Sequence, residues 1–117
     1  HLLGDKIIQT VAKTLEQSCV QTPGAQAYRF GGEEFAILLP NANLKVAIQF
    51  ANDVRERISR LNLKNKKTGQ SIRTITTSVG VAQFKPGESL EALLERADQY
   101  LYAAKHAGRN CVRADVA

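Results

Sequence analysis

The sequence predicts a layered α+β or α/β domain, and two observations carry that prediction. Apolar residues recur with helical period in three stretches, and short β-branched, aromatic or wholly apolar runs lie between them. The resulting order is helix, strand, strand, helix, strand, helix, strand. Such an order builds an antiparallel or mixed sheet with helices on one or both faces. The 117 residues suit one domain with one modest core. No internal repeat, interdomain linker or low-complexity segment interrupts them.

Leu3, Ile7, Ile8, Val11, Leu15 and Cys19 give the first helix its apolar stripe, and Thr22-Pro23-Gly24 ends it. Asp5 precedes most of the stripe and, on local sequence alone, reads as the helix cap. Ala25 to Phe30 and Phe35 to Leu39 are the arms of a hairpin. Ala36-Ile37-Leu38-Leu39 is nearly all apolar, as in a strand covered on both faces. Pro40-Asn41-Ala42-Asn43 breaks the strand, and Asn41 or Asn43 can cap the second helix.

Leu44, Ala47, Ile48, Ala51, Val54, Ile58 and Leu61 mark that second helix. Asn62 to Ser71 is polar and basic, a loop or the tip of a second hairpin. Ile72 to Phe84 reads as a strand, interior near Thr77-Ser78-Val79. Lys85-Pro86-Gly87-Glu88 is a turn, and Ser89 is the N-cap of the last helix. Leu90, Leu93, Leu94, Ala97, Leu101 and Ala104 are that helix's stripe, and Gly108 ends it in the left-handed conformation. Cys111-Val112 begins a short closing strand.

Composition excludes several classes. With 44% hydrophobic and 23% charged residues the chain is ordinary globular material. No apolar run is long enough to span a bilayer, and no signal-peptide pattern opens the sequence. The net charge of +5 suits an anionic partner, although from charge alone a lysine-rich solvated face is the better reading. Cys19 and Cys111 sit among apolar neighbours without a CxxC pattern, so two buried thiols are expected. His1 has no local partner that would make it a ligand or a catalyst.

The candidate site is the hairpin Tyr28-Arg29-Phe30-Gly31-Gly32-Glu33-Glu34-Phe35. A Gly-Gly pair between two strand-like runs makes a tight turn, because glycine takes positive φ without a Cβ clash. Bare backbone at such a tip admits a phosphate or a base. Two carboxylates beside it, Glu33 and Glu34, are hard oxygen donors suited to Mg²⁺. Two exposed acids at a turn are also common in any hairpin.

Gly31-Gly32-Glu33-Glu34-Phe35 resembles the signature of GGDEF domains, the diguanylate cyclases, in its GGEEF form. His1-Leu2-Leu3-Gly4-Asp5 is similar to the family's GHxxGD segment. Thr76-Thr77-Ser78-Val79-Gly80-Val81 is similar to its later sheet strand. Ala97 to Lys105, followed by Gly108-Arg109-Asn110, is similar to its last helix and exit. Order and spacing agree over essentially the whole chain.

The resemblance implies a fold like the palm of nucleotidyl cyclases and polymerases. It implies the joining of two GTP into cyclic di-GMP, with Mg²⁺ (or Mn²⁺) as cofactor, across a homodimer of GTP-loaded domains. Gly31, Gly32, Glu33, Glu34 and Phe35 would form the catalytic signature, with Glu33 the metal ligand. Asp5 would accept hydrogen bonds from guanine N1–H and its 2-amino group, which adenine cannot supply. Gly31 and Gly32 would admit the nucleotide, and Lys105 and Arg109 would hold its phosphates. The bland alternative for Lys105 and Arg109 is interaction with the helix dipole. Arg96 and Asp98 are expected to be structural.

The family's domain begins further upstream, on a strand bearing a metal-binding aspartate, a Phe-Lys pair and a nucleotide-contacting asparagine. The chain from residue 1 to 117 is therefore expected to be the C-terminal portion of the domain, without that central strand and inactive alone. The family's Arg-x-x-Asp inhibitory site is replaced by Thr22-Pro23-Gly24-Ala25, and its supporting arginine by Asp53. No inhibitory site is expected. The expected setting is a cytoplasmic domain downstream of a sensory or receiver module, in a parent protein compatible with a membrane anchor. A module that responds to GTP or cyclic di-GMP without turnover is the alternative. A nucleic-acid-binding role rests on charge alone and is not expected; only 6% of residues are aromatic.

Overall fold

The computed structural model describes residues 2–61, 68–69 and 75–115. The elements are α1 (Leu2–Val20), β1 (Gln26–Gly31), β2 (Glu34–Leu38), α2 (Leu44–Ser59), β3 (Val79–Val81), α3 (Leu90–His106) and β4 (Val112–Ala114). The predicted order holds, and the fold is α+β. The chain forms two compact units, His1–Asn41 with Leu61–Thr74, and Ala42–Arg60 with Ile75–Ala117. Among the described residues the strands form two separate two-stranded sheets, β1-β2 and β3-β4, where the sequence predicts a single one.

In the first unit α1 packs on β1. Leu15 and Cys19 are buried on the predicted stripe. Thr14 and Ser18 are buried with them, and each satisfies its hydroxyl inside the helix. Thr10 donates to the Lys6 carbonyl (2.9 Å), Thr14 to Thr10 (2.9 Å) and Ser18 to Thr14 (3.0 Å). Burial pushes the Cys19 thiol pKa up, and the nearby Glu16 charge adds to it. Gly24, at φ +78, lies against Pro40, whose Cγ would sit 3.3 Å from an added Cβ. Phe35 to Leu39 is only half-buried, because β2 has a single sheet neighbour among the described residues.

The second unit holds the better-formed core. Asn43 is the N-cap of α2, accepting from the Val46 N–H at 2.8 Å, while Asn41 sits at φ +61. Leu44, Ala51, Val54 and Ile58 are buried along α2. Leu44, Ala51 and Val81 pack with Ala47, Ile48, Val79, Val112 and Ala114. Of the strand expected over Ile72 to Phe84, residues 72–74 and most of the expected loop before it lie outside the described residues. Among the described residues of that stretch only Val79–Val81 is regular, since its partner β4 has three residues. Cys111 is half-buried and precedes β4; both cysteines are free.

β3 and β4 run parallel, with Val79 opposite Val112 and Val81 opposite Ala114. Parallel strands need a crossover, and α3 supplies it. Ser89 caps α3, accepting from the Ala92 N–H at 3.1 Å. The helix lies directly on Gly80. A Cβ there would stand 2.2 Å from both the Ala97 carbonyl oxygen and the Leu101 nitrogen. Both are backbone atoms and cannot swing aside.

Arg96 ties the turn before α3 to the end of the chain. Its guanidinium pairs with Glu88 at 2.6 Å and Asp115 at 3.1 Å, and donates to the Gln83 carbonyl. Gln83 N–H donates to Asp115 at 2.9 Å. The hydrogen bond from Arg96 holds Glu88 below the usual carboxylate range. Burial pushes Asp115 up, but hydrogen bonds from Gln83, Tyr100 and Arg96 outweigh it and the pKa is lowered. The structural role expected for Arg96 is borne out; Asp98 is exposed.

This packing can be tested at two points. Gly80→Ala should destabilise the protein by at least about 1–3 kcal/mol, read as a lower urea midpoint, since α3 must lift off β3. Because both carboxylates are depressed in the folded state, their stabilisation is complete above the ordinary carboxylate pKa of about 4 and is lost as pH falls through and below it. The urea midpoint should therefore drop on acidification, and Arg96→Met should flatten that drop; an unchanged slope would count against the cluster.

Candidate functional site

The antiparallel register runs Gln26 to Leu38, Ala27 to Ile37, Tyr28 to Ala36 and Arg29 to Phe35, then shifts to Gly31 opposite Glu34. Phe30 is thus an extra residue, a bulge that bends β1 just before the tip. The two loop residues are Gly32 and Glu33, not the Gly-Gly pair, because Gly31 still belongs to β1. Gly31 has φ +147 and Gly32 φ +52. A Cβ at either position would meet nothing beyond its chain neighbours within 4 Å among the described residues. Glycine is required here by backbone angle and not by crowding, so the backbone at the tip is open to a ligand. Glu33 and Glu34 are exposed and Phe35 is half-buried.

The Arg29 side chain stabilises this tip. Its guanidinium donates to the Gly32 carbonyl through Nε (3.1 Å) and Nη2 (2.7 Å). Sequence reasoning missed Arg29. The available signal was an arginine three residues before a glycine whose turn needs its carbonyl satisfied.

Asp5 is exposed in the first turn of α1. It is not the helix cap, because the helix already begins at Leu2 and Asp5 lies inside it. Its carboxylate still suits the positive end of the helix dipole. Lys105 is half-buried in the last turn of α3. The Arg109 N–H donates to the Ala104 carbonyl at 3.1 Å, closing α3 in a Schellman arrangement with Gly108 at φ +107. Arg109 is exposed at φ +64 and Asn110 comes next at φ +47. The Asn110 Oδ1 accepts from Arg55 at 3.0 Å. Asp5 and the hairpin belong to the first unit, and Lys105 and Arg109 to the second.

Among the described residues no cluster of three or more His, Cys, Asp or Glu could enclose a metal ion. Glu33 and Glu34 nevertheless fit Mg²⁺ by donor type. That ion is commonly held by one or two carboxylates, with substrate phosphates and waters completing its shell. Thr22 to Ala25 forms the turn after α1, with Ala25 N–H donating to the Thr22 carbonyl at 3.1 Å. Among the described residues no helix is long and apolar enough to cross a membrane.

Comparison with known proteins bears on the family and the fold. The family model for the diguanylate cyclase GGDEF domain matches residues 1–111. The chain is 49% identical over 112 residues to the diguanylate cyclase VdcA of Vibrio cholerae serotype O1, spanning 96% of this chain and 32% of that protein. It is 37% identical over 114 residues to the diguanylate cyclase DgcM of Escherichia coli K12, spanning 97% of this chain and 26% of that protein. The chain thus spans about a third or less of these relatives' length. The GGDEF domain of DgcB from Caulobacter crescentus, solved in complex with c-di-GMP, superposes with a TM-score of 0.92 at 39% identity, over 97% of this chain and 66% of that one. The active GGEEF domain of a diguanylate cyclase from Vibrio cholerae gives a TM-score of 0.81 at 26% identity, over 100% of this chain and 71% of that one. This chain belongs to the GGDEF domain family of diguanylate cyclases.

Proposed function

We propose that the protein containing this chain condenses two GTP into cyclic di-GMP, and that the hairpin tip at residues 31–35 is its catalytic element. Each ribose 3′-oxygen bonds to the α-phosphorus of the other nucleotide. Pyrophosphate leaves with the electrons of the broken bond, and each hydroxyl gives up its proton. Two copies facing one another would each hold one GTP. The observation that carries this reading is the tip: two exposed carboxylates after a positive-φ glycine pair with open space beside it.

Asp5 selects guanine by accepting from N1–H and the 2-amino group together. Gly31 and Gly32 let the nucleotide reach the backbone. Lys105 and Arg109 offer an ammonium and a guanidinium to the β- and γ-phosphates. Mg²⁺ held by Glu33, with Glu34 beside it, would neutralise phosphoryl charge and make the attacking hydroxyl more acidic. The positive φ at Arg109, costly for a residue with a Cβ, supports a functional use for that side chain. The resemblance further suggests that residues 1–117 are the C-terminal portion of the domain, and that an upstream sensory or receiver module controls it.

With GTP and Mg²⁺ the intact protein should form cyclic di-GMP, and Glu33→Ala should slow it by about 100-fold or more at unchanged Tm. A wild-type protein that forms no product, or a variant with unchanged rate, would sink the proposal. Arg109→Gly should separate binding from folding. It relieves the left-handed backbone while adding freedom to the unfolded chain, so stability should shift by no more than about 1 kcal/mol. GTP affinity, by calorimetry, should fall roughly tenfold through loss of a charge-assisted contact; unaltered affinity would remove Arg109 from the phosphate site.

A further inference from the structure

We infer that Arg29 is a positioning residue for the proposed reaction, acting through the Gly32–Glu33 peptide and not by touching nucleotide; the inference rests on the functional reading above. Among the described residues, packing does not hold the tip. Neither glycine has a described atom beyond its chain neighbours within 4 Å of where a Cβ would stand, and Glu33 and Glu34 are exposed. Glycine at positive φ is also the residue with the widest alternative conformations. Something must nonetheless hold one geometry if Glu33 is to meet a ligand at a fixed place.

The Arg29 fork does this. Nε at 3.1 Å and Nη2 at 2.7 Å converge on one oxygen, the Gly32 carbonyl, and so engage it from two directions. A peptide is planar and trans, so fixing its C=O fixes its N–H on the opposite side. The Glu33 N–H is therefore aimed away from Arg29. The same plane contains the Glu33 Cα, so the point from which its side chain departs is fixed as well, and φ alone remains to direct it. Donation by a cation to the carbonyl also polarises the amide and makes its N–H a stronger donor to an anionic oxygen. The bulge at Phe30 bends β1 between Arg29 and the tip, and Arg29 still closes back on Gly32. The clamp thus replaces packing as the source of order.

The test uses the intact protein with Arg29→Ala and Arg29→Lys, and two readouts. The first is ¹⁵N relaxation of the nucleotide-free protein. Order parameters of the Gly32 and Glu33 amides should fall from near 0.85 to below about 0.6 in Arg29→Ala. The second is steady-state kinetics with GTP and Mg²⁺. kcat should fall roughly ten- to hundredfold, as for a misaimed transition-state donor, with KM changed less than about threefold. Lysine keeps the charge but cannot supply the two-point fork, so it should recover only a minor part of kcat. Unchanged order parameters in Arg29→Ala, or full kcat in Arg29→Lys, would overturn the inference. A wild-type protein without cyclase activity would defeat the functional reading, while the relaxation data would still decide whether Arg29 orders the tip.

Discussion

The second unit depends on the absence of a side chain at position 80. β3 and α3 meet there backbone to backbone, closer than any Cβ allows. That approach lets a three-residue strand pack under a seventeen-residue helix without a large side chain between them. It also seats the middle of α3 on β3, and beyond the helix the chain returns as β4 in parallel register. Leu44 and Ala51 of α2 then close the core against Val81 of β3. Ile58, 1% exposed on α2, contributes on the order of 2–3 kcal/mol by its burial alone.

The first unit solves a different problem. Among the described residues, packing has no hold on its hairpin tip, and local chemistry takes over. A bulge bends the strand, two glycines accept angles closed to other residues, and a guanidinium closes on the turn carbonyl. The result is an exposed pair of carboxylates whose placement is set by hydrogen bonds, within the segment that carries the family's signature. The end of α3 shows a related economy. Gly108, Arg109 and Asn110 are three consecutive left-handed residues, and only the first is a glycine.

Much of this is legible in the sequence. Helical periodicity locates all three helices, and Asn43, Ser89 and Gly108 are readable as caps because capping is local chemistry. The Glu33-Glu34 tip is legible for the same reason. Register is not. The bulge at Phe30 moves the loop by one residue, and nothing in the Gly31-Gly32 pair itself tells which glycine ends the strand. Ile72 to Phe84 reads as one long strand because β-branched residues mark propensity, whereas strand length is set by the partner available to pair. Asp5 reads as a cap because a cap and a first-turn acid satisfy the same helix end. Arg29 escapes notice because its task, holding one carbonyl, has no signature beyond its distance from Gly32.

Asp115 sits beyond the last strand and outside the motif-bearing segments, yet it reaches back 32 positions to the Gln83 amide and 19 to the Arg96 guanidinium. For anyone shortening this protein or joining it to another, that carboxylate sets a minimum boundary. A chain cut after β4 would keep, among the described residues, every helix and strand and every signature residue. It would still leave Arg96 with Glu88 as its sole remaining carboxylate partner among the described residues, and the Gln83 N–H without its acceptor. A fusion is better placed beyond residue 115, with a spacer that lets the carboxylate turn inward, than at the last residue of regular structure.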